Sequence, residues 1–518
     1  MLMFFSTQLS RLGFGLVALG LAAGPARGQQ AITTVRIDPA RPYQTIANFA
    51  ASDAWSCQFV GQWPAAKKEA IADLLFSTAA GPGGQPSGIG LSMWRFNIGA
   101  GSAEQGAGSD IKDEWRRAES FLRPDGTYDF TRQAGQQWFL QAAHKRGVRQ
   151  FLGFLNSPPV GLTINGKAHA DQAQTNLAPA NYAALGTYCA TVVAGVAQAT
   201  GITFNYLSPL NEPQWDWNGG QEGTPARNPE LAGVARAVAT ALGQQHLPTR
   251  VLVTEAGKLT YLLETADKPG RGDQLAAFFG DKAAPTYLGA TPGVAPIIAG
   301  HSYFTTSPAA AAAVVRRQLA ARVAAVPGLS YWQSEYCILG GNEGEINGGP
   351  RDLGMAPALY LARTIHADLA VGNAAAWQWW LAISPYDYKD GLVYIDQNKA
   401  DGQFYPSKML WALGNYSRFV RPGAVRLHAQ LADSARAGQL LVSAYQSPGG
   451  RQLVTVVVND HDTPATVQLV LAGRRRLGRS QAFVTSATAN LQPGPALAAG
   501  QPLAVAPRSI TTLVSELR

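Results

Sequence analysis

The chain has 518 residues, of which 46% are hydrophobic and only 15% are charged, against about 25% charged in typical globular domains. This balance excludes a largely disordered protein, and the length allows about two to four domains, or one large barrel with an accessory domain. The formal charge of +8 does not indicate a nucleic-acid partner, because residues 406–518 alone carry a net +8 and residues 29–405 are nearly neutral at −2.

The N-terminus has the pattern of a secretory signal peptide. Arg11 precedes an apolar run over residues 12–23, and Ala26 and Gly28 place small residues at positions −3 and −1 of a cleavage site. The run is shorter than the ~20 apolar residues that cross a bilayer, and no later stretch is long and apolar enough to do so. We therefore expect a signal peptide over residues 1–28 and a secreted or periplasmic, monomeric protein without a membrane span.

Over residues 43–404, eight short β-branched or aromatic runs alternate with helical patterns. This order predicts a (β/α)8 TIM barrel. A doubly wound open sheet is the alternative, but it would normally carry a glycine-rich phosphate-binding turn after its first strand, and NFAASDAW has none. The predicted strands are Ile46–Ser52, Leu91–Ile98, Gln150–Asn156, Tyr206–Asn211, Arg250–Glu255, Ile297–Tyr303, Leu329–Glu335 and Ala374–Trp380. The predicted helices are Ala65–Thr78, Thr131–Arg146, Ala178–Thr200, Asn228–Gln245, Gly272–Phe279, Ala309–Val326 and Pro350–Ala370.

The pattern of predicted elements changes beyond the eighth predicted strand. An apolar, aromatic segment predicts a linking helix, and the strands that follow it are separated by Gly, Pro, Asn and Asp turns, which predicts an antiparallel β-sandwich. The isolated strand Ala31–Asp38 has no partner in a closed barrel, so we expect it to join this sandwich and to hold it on the barrel as a fixed support. The predicted division is an N-terminal strand segment (29–42), the barrel (43–404) and the linking helix with the sandwich (405–518).

Two glutamates stand at the ends of predicted barrel strands. Glu212 follows the fourth strand in LSPLNEPQ, and Glu335 ends the seventh in SYWQSEY. Because the catalytic side chains of TIM barrels come from the C-terminal ends of the strands, we expect both carboxylates at one mouth. Glycoside hydrolysis uses such a pair, one as a protonated acid and one as a nucleophile or base. A single glutamate at a strand end is more often an ion-pair partner or a helix cap, but the pair predicts a glycosidase.

Polar and aromatic residues at the other strand ends are candidate substrate contacts. Asn211 can donate to a sugar hydroxyl, Arg95 can hold a carboxylate ionised, and Tyr303 can hydrogen-bond the nucleophile. Tryptophans of the eighth strand offer an indole surface for a pyranose ring. Arg95 and His301 also have structural alternatives, as an ion-pair partner and a core histidine. The predicted substrate-binding residues are Asn211, Arg95, Tyr303, His301, Trp377, Trp379, Asp53, Trp55, Asn156 and Trp215.

The sequence gives no sign of a metal or a cofactor. Its three cysteines, Cys57, Cys189 and Cys337, form no CxxC motif or metal-ligand cluster, and buried free thiols are the simplest expectation. The run Arg474–Arg476 fits a solvated turn or, alternatively, a surface for an acidic polysaccharide or the cell envelope.

Seven stretches of the sequence carry a family resemblance: SMWRFNIGAGS, FLNSPPVGLTINGK, LSPLNEPQWDWNGGQEG, IIAGHSYF, YWQSEYCIL, AAAWQWWLA and YPSKMLWALGNYSRFVRPGAVRL. With these stretches the sequence resembles glycoside hydrolase family 30, whose members are retaining β-glycosidases, from about Arg36 to the C-terminus. The resemblance implies double displacement without a cofactor, with Glu212 as acid/base and Glu335 as nucleophile. The carboxyl groups should then lie about 5–5.5 Å apart, with Glu212 protonated and Glu335 ionised.

Two loops, QWDWNGGQEG and SDAWSCQFVGQWP, look closest to the family branch that contains endo-β-1,6-galactanases. Glucuronoxylanases, β-1,6-glucanases, β-glucosidases and β-xylosidases of the family share the same carboxylate pair. No dedicated Arg or Lys motif for a uronate is visible at the predicted mouth, which disfavours glucuronoxylan. We therefore expect a secreted enzyme acting on a β-linked poly- or oligosaccharide, with β-1,6-galactan as the first candidate. A carbohydrate-binding protein without catalysis is the alternative from another class.

Overall fold

The computed structural model describes residues 32–432 and 440–518. The predicted signal peptide over residues 1–28 lies outside the described residues. The strands β1 to β20 are Ile32–Thr45, Asn48–Ser52, Met93–Asn97, Gln150–Phe154, Tyr206–Ser208, Arg250–Ala256, Val294–His301, Ser330–Glu335, Ala376–Trp379, Ile383–Ser384, Val393–Ile395, Phe404–Pro406, Val425–Leu431, Leu440–Gln446, Gln452–Asn459, Ala465–Leu471, Leu477–Thr485, Gln492–Leu497, Leu503–Val505 and Ser509–Leu517. The helices α1 to α10 are Cys57–Val60, Ala65–Phe76, Ser102–Gln105, Ala134–Lys145, Tyr182–Thr200, Asn228–Gln244, Thr260–Leu263, Ala309–Ala324, Met355–His366 and Lys408–Ser417.

Strands β2 to β9 form a closed parallel barrel, which confirms the predicted (β/α)8 fold. The ring closes between β2 and β9, where Asn48 pairs with Ala376 and Ala51 with Trp379. The interior is filled by apolar side chains of the strands, among them Met93, Leu152 and Trp332, so the barrel is a packed core and not a pore. Because all eight strands are parallel, their C-terminal ends open at one mouth.

The predicted helix Gly272–Phe279 is present as a shorter helical segment over residues 274–280, most of it the five-residue π-helical turn Ala276–Gly280. Asp273 sets its start, because its φ of +49° lies in the left-handed region and its backbone N–H donates to the carbonyl of Glu264 at 2.8 Å. The Asp273 carbonyl then accepts from the Ala277 N–H at 3.0 Å, the first bond of the helical segment.

Helix α5 corrects the expectation that no stretch after the N-terminal apolar run is long and apolar enough to cross a bilayer. With its preceding turn it spans Pro179–Thr200, which is long and apolar enough to cross a membrane by length and composition alone. Half of its most apolar window is buried within the protein, and it packs closely along α6, where a Cβ added at Gly186 would meet the carbonyl oxygen of Ala237 at 2.6 Å. The apolar side chains of α5 therefore form the surface by which this barrel helix packs on its neighbours.

Beside the barrel stands a nine-stranded sheet with the order β18-β17-β20-β15-β14-β13-β1-β16-β19. The N-terminal strand β1 joins it as predicted, with Val35 opposite Leu431 of β13 and also opposite Leu469 of β16. The pairing of β1 with β13 is antiparallel, but that with β16 is parallel. The sheet is therefore mixed, not purely antiparallel as expected.

The nine-stranded sheet is fixed to the barrel and is not a tethered module. Side chains from both ends of its strand order, such as Leu513 and Val505, share one apolar core, so the sheet curls over itself as a sandwich. Its other face packs on α9 and α10. At that contact the side-chain amide of Asn415 in α10 donates to the Thr512 hydroxyl at 3.0 Å, and that hydroxyl donates to the Asn415 carbonyl at 2.6 Å.

Candidate active site

A cavity of about 680 Å³ opens at the mouth of the barrel. Both predicted catalytic residues, Glu212 and Glu335, line it together with Asn211 and Tyr303. Aromatic side chains make up much of the remaining wall, and the volume is typical of a site for a small ligand. The aromatic residues of the wall include Trp55, Trp215, Trp217, Phe304, Trp380, Tyr386 and Tyr388.

The two glutamates lie close together across the mouth. A carboxylate oxygen of Glu212 and one of Glu335 lie within 4.8 Å of each other. This approach fits the spacing of a retaining pair, about 5–5.5 Å between carboxyl groups, better than the ~6.5–9.5 Å of an inverting pair. Glu212 is held there by an unusual backbone: its φ is +46°, that of Glu255 is +53°, and the Glu212 N–H donates to the Glu255 carbonyl at 2.9 Å. Such strained conformations recur at functional sites.

Glu335 accepts hydrogen bonds that stabilise its negative charge. A guanidinium nitrogen of Arg95 lies 2.5 Å from Oε2, and the Tyr303 hydroxyl donates to Oε1 at 3.0 Å. Arg95 is fully buried, with its guanidinium 3.7 Å above the ring of Phe154. Charge-assisted hydrogen bonds from a buried cation favour the ionised form of a carboxyl group. The environment of Glu335 is therefore that of a carboxylate.

Glu212 has the opposite environment. Burial raises the pKa of its carboxyl above the usual value, only partly offset by its hydrogen bond to His301, and the nearby charge of Glu335 adds to the rise. His301 Nδ1 lies 2.8 Å from Glu212 Oε1, so the other oxygen of Glu212 is the one that can carry a proton toward the cavity. Two neighbouring carboxyls with opposite preferences are the arrangement by which enzymes separate an acid from a nucleophile.

His301 connects Glu212 to a third carboxylate. Its Nε2 lies 2.9 Å from Glu255 Oε2, which also accepts a hydrogen bond from the Ser334 hydroxyl at 2.6 Å. Burial alone would lower the pKa of His301, but the surrounding carboxylates outweigh it and raise the pKa to about 10. Burial likewise opposes ionisation of Glu255, but the charges of Arg95 and His301 lower its pKa to about 2. Both ring nitrogens of His301 therefore face carboxyl groups, an arrangement that favours the imidazolium form.

The polar partners around the two glutamates disfavour a metal ion. One ligand atom each from Glu212, His301 and Glu335 lies within 4.8 Å of the others, close enough for a shared cation. Both ring nitrogens of His301 already face the carboxyls of Glu212 and Glu255, and Arg95 already places a positive charge on Glu335. These contacts suit proton transfer between the side chains.

Four predicted substrate contacts lie behind the cavity wall and position other residues. Arg95 and His301 are fully buried and do not line the cavity themselves. Asn156 accepts a hydrogen bond from the Asn211 side chain at 3.2 Å. The buried Asp53 accepts from the Asn97 N–H at 2.7 Å, and burial raises its pKa well above the usual value. Of the other predicted contacts, Asn211, Tyr303, Trp55 and Trp215 line the cavity.

The prediction that Trp377 and Trp379 contact substrate is wrong. Residues two apart on a strand point to the same face, and both indoles stack on each other behind the barrel with no exposed surface. Trp377 donates to Asp368 at 2.9 Å, and Trp379 donates to the backbone carbonyl of Asp390 at 2.7 Å. Trp380, just beyond the strand end, is the tryptophan of this segment that lines the cavity.

Several cavity residues were missed because they lie on long loops. Their sequence signal is a local cluster of aromatic and acidic residues, as in the run YDYKD after the eighth barrel strand. All three cysteines are free and buried, as expected, and Cys337 is part of the wall. The missed lining residues are Arg116, Trp217, Gln221, Phe304, Cys337, Leu339, Trp380, Tyr386, Asp387, Tyr388 and Asp390.

Residues 32–394 match the model of O-glycosyl hydrolase family 30. The chain belongs to this family. A conserved exported protein from Bacteroides fragilis is 33% identical, with a TM-score of 0.86 over 93% of this chain and 100% of that one. The catalytic domain of xylanase C from Talaromyces cellulolyticus is 21% identical, with a TM-score of 0.66 over 93% of this chain and 99% of that one, and shares the fold.

The family 30 chain also has curated relatives that it matches only in part. Glucuronoxylanase XynC of Bacillus subtilis (strain 168) is 31% identical over 137 residues. That match covers 26% of this chain and 28% of the relative. The family is one of O-glycosyl hydrolases, and the activity and the sugar have to be argued from the cavity.

Proposed function

We propose that the protein is an exported, retaining β-glycosidase in which Glu212 is the acid/base and Glu335 the nucleophile. The observation that carries the proposal is the close pair of unlike carboxyls: Glu335 bound by Arg95 and Tyr303, and Glu212 with a raised pKa. Export is supported by the leader pattern ending at Gly28 and by the similarity to an exported protein.

In the first step a Glu335 oxygen attacks the anomeric carbon of the sugar on the glycone side. The bond from that carbon to the glycosidic oxygen breaks, and Glu212 gives its proton to the leaving oxygen. Arg95 and Tyr303 keep Glu335 ionised and oriented before attack. The products of this step are a free hydroxyl on the departing saccharide and a glycosyl ester on Glu335.

In the second step Glu212, now a carboxylate, removes a proton from water. The resulting oxygen attacks the anomeric carbon, the ester bond to Glu335 breaks, and Glu212 is protonated again. The imidazolium of His301 stabilises the ionised form of Glu212 between the steps. Asn211, held by Arg95 at 3.0 Å, lines the cavity beside Glu212 and is placed to bind a sugar hydroxyl.

For the substrate we propose β-1,6-galactan, cleaved within the chain. The support is that the two loops resembling the galactanase branch both reach the cavity: one contributes Trp55, and the other contributes Trp215, Trp217 and Gln221. Loops at the barrel mouth determine which sugar is bound. A xylan is the second candidate, because the chain is partly similar to a glucuronoxylanase.

The product anomer tests the mechanism. We expect the first sugar released from β-1,6-galactan to have the β configuration when followed by NMR, since two displacements at one carbon retain it. Glu335→Gln should abolish release of reducing ends, whereas Glu343→Gln, an exposed glutamate in the following loop, should leave it unchanged. An initial α anomer would contradict the retaining mechanism, and cleavage of xylan alone would contradict the galactan assignment.

A further inference from the structure

Asp390 is a carboxyl group of the cavity wall that the two hydrolysis steps do not use. It lies in the loop after the eighth barrel strand and retains only 7% exposure. Its Oδ1 is buried and has no hydrogen-bond partner among residues 32–432 and 440–518. Buried polar atoms in proteins are nearly always hydrogen-bonded, so an unpartnered one at a cavity points to a donor supplied by the ligand.

The surroundings hold Asp390 in place, and its carboxyl remains able to accept hydrogen bonds. Trp379 donates to its backbone carbonyl at 2.7 Å. Burial raises the pKa of its carboxyl to about 7, partly offset by the nearby Ser384 hydroxyl. Arg116 also lines the cavity, but within the described chain no cation lies within 4.0 Å of Asp390 to form an ion pair. The carboxyl is therefore fixed in position and still able to accept hydrogen bonds.

The position of Asp390 is on the nucleophile's side of the cavity. The carbonyl of Lys389 accepts from the Ile338 N–H at 3.3 Å, so the Asp390 loop runs beside the segment that follows Glu335, and Cys337 of that segment also lines the cavity. Trp380, in the same wall, stands edge-to-face with Trp55 at 5.2 Å. The nucleophile attacks the glycone sugar, so this wall faces that sugar.

We propose that Asp390 accepts hydrogen bonds from hydroxyl groups of the glycone sugar and thereby selects a neutral ring over a uronic acid. The inference rests on the proposed function, because it takes the sugar attacked by Glu335 as the glycone. A neutral sugar offers hydroxyl donors to the carboxyl and an apolar face to Trp380. A uronate would bring a second carboxylate against Asp390 in a poorly solvated wall, and such like-charge contact discriminates against the wrong ligand.

Two disaccharides measure this selection. The probes are β-1,6-galactobiose and glucuronosyl-β-1,6-galactose, titrated by calorimetry against Glu335→Gln protein so that neither is hydrolysed. The same titrations use Glu335→Gln combined with Asp390→Asn, or with Asp396→Asn as the matched control, since Asp396 is exposed in the following loop and outside the cavity wall. Thermal unfolding checks that each variant is folded, and Asp390→Ala serves as a second replacement.

We expect Asp390→Asn to weaken galactobiose binding by about 10- to 100-fold, as for loss of a hydrogen bond to a charged group, and the uronate disaccharide by less than threefold. The control should change neither. Equal loss for both ligands in folded protein, or no loss, would overturn the role of Asp390. Tighter binding of the uronate that disappears in Arg116→Gln would assign this wall to acidic sugars instead. Wild-type protein that cleaves no polysaccharide would overturn the proposed function itself, which the binding ratios do not test.

Discussion

Two groups of buried charges lie on either side of the barrel wall, and they differ in how completely they are paired. The mouth cluster consists of Arg95, Glu212, Glu255, His301 and Glu335. The rear cluster consists of Arg316, Asp368, Ser302 and Trp377, packed between the barrel and its helices. His301 and Ser302 are adjacent in sequence and belong to different clusters, because successive side chains of a strand point to opposite faces.

In the rear cluster one cation meets one anion, and the anion is fully hydrogen-bonded. Asp368 accepts from Arg316 Nε at 2.7 Å, from the Ser302 hydroxyl at 3.0 Å and from the Trp377 indole at 2.9 Å. In the mouth cluster three carboxyls share two cations, and burial, followed by the charge of Glu335, raises the pKa of Glu212. Complete pairing favours stability, whereas the imbalance at the mouth leaves a proton available for chemistry.

The largest difference should follow from removing a charge at the mouth. We expect Glu335→Gln to lower kcat by about 10⁴-fold or more, as for loss of a catalytic nucleophile, while the temperature of unfolding changes little because Arg95 keeps Glu255 as a buried ion-pair partner at 3.6 Å. Reducing-end assays and calorimetry measure the two effects. A large loss of stability would mean that the mouth cluster also holds the fold together.

Breaking the rear cluster should have the reverse outcome. Arg316→Met leaves the carboxylate of Asp368 buried without its cation, which typically costs about 3–5 kcal/mol in the free energy of unfolding. Denaturant titration measures this loss. We expect kcat/KM per folded molecule to stay within about threefold, and a large loss of activity in fully folded protein would show that the two clusters are coupled.

A smaller effect on activity is expected from replacing His301, which changes the pKa of the acid Glu212 but does not contact the sugar. Its hydrogen bond and charge lower the pKa of Glu212, so His301→Asn should raise that pKa and move the alkaline limb of the pH–rate profile to higher pH, by about one unit. We expect kcat/KM to fall about 10- to 100-fold. A loss of rate with an unmoved alkaline limb would restrict His301 to a structural role.

The smallest effect concerns stability at alkaline pH. The pKa of His301 is about 10 in the folded protein and about 6.5 in an unfolded chain. Its contribution to stability is therefore complete below pH 6.5 and is lost as the pH rises through 10. The unfolding temperature should fall between pH 7 and 10, and this slope should be shallower in His301→Asn. Parallel slopes in the two proteins would contradict the charged state of His301.

The sequence was sufficient for the barrel, the partner of β1 and the two glutamates. Repeating strand and helix patterns predict a barrel, and an acidic residue at the end of a predicted strand can be located in the sequence alone. The link from Glu212 through His301 to Glu255 could not be predicted from the sequence, because it depends on which side chains of three strands converge after the barrel closes. Glu255 was therefore absent from the predicted site.

The tryptophans of the eighth strand show a second limit. The run WQWW predicts indoles near the mouth but not which of them reach the cavity. The alternation of side chains along the strand directs Trp377 and Trp379 toward the helices, and Trp380 lines the cavity. Asp390 and Arg116 lie on loops whose paths depend on contacts distant in sequence, such as the ring of Trp55 below Arg116 at 5.4 Å. The substrate preference is held in these loops, which is why it is the least predictable property of the chain.

The position of β1 determines the order in which the protein can fold. Val35 has one neighbour at Leu431 and another at Leu469, and the barrel closes only when β2 meets β9. A chain that leaves the ribosome N-terminus first must therefore keep its earliest apolar strands unpaired until most of its length has been made. Contacts of such long sequence separation form slowly. The topology thus delays the pairing of β1 and the closure of the barrel until synthesis is nearly complete.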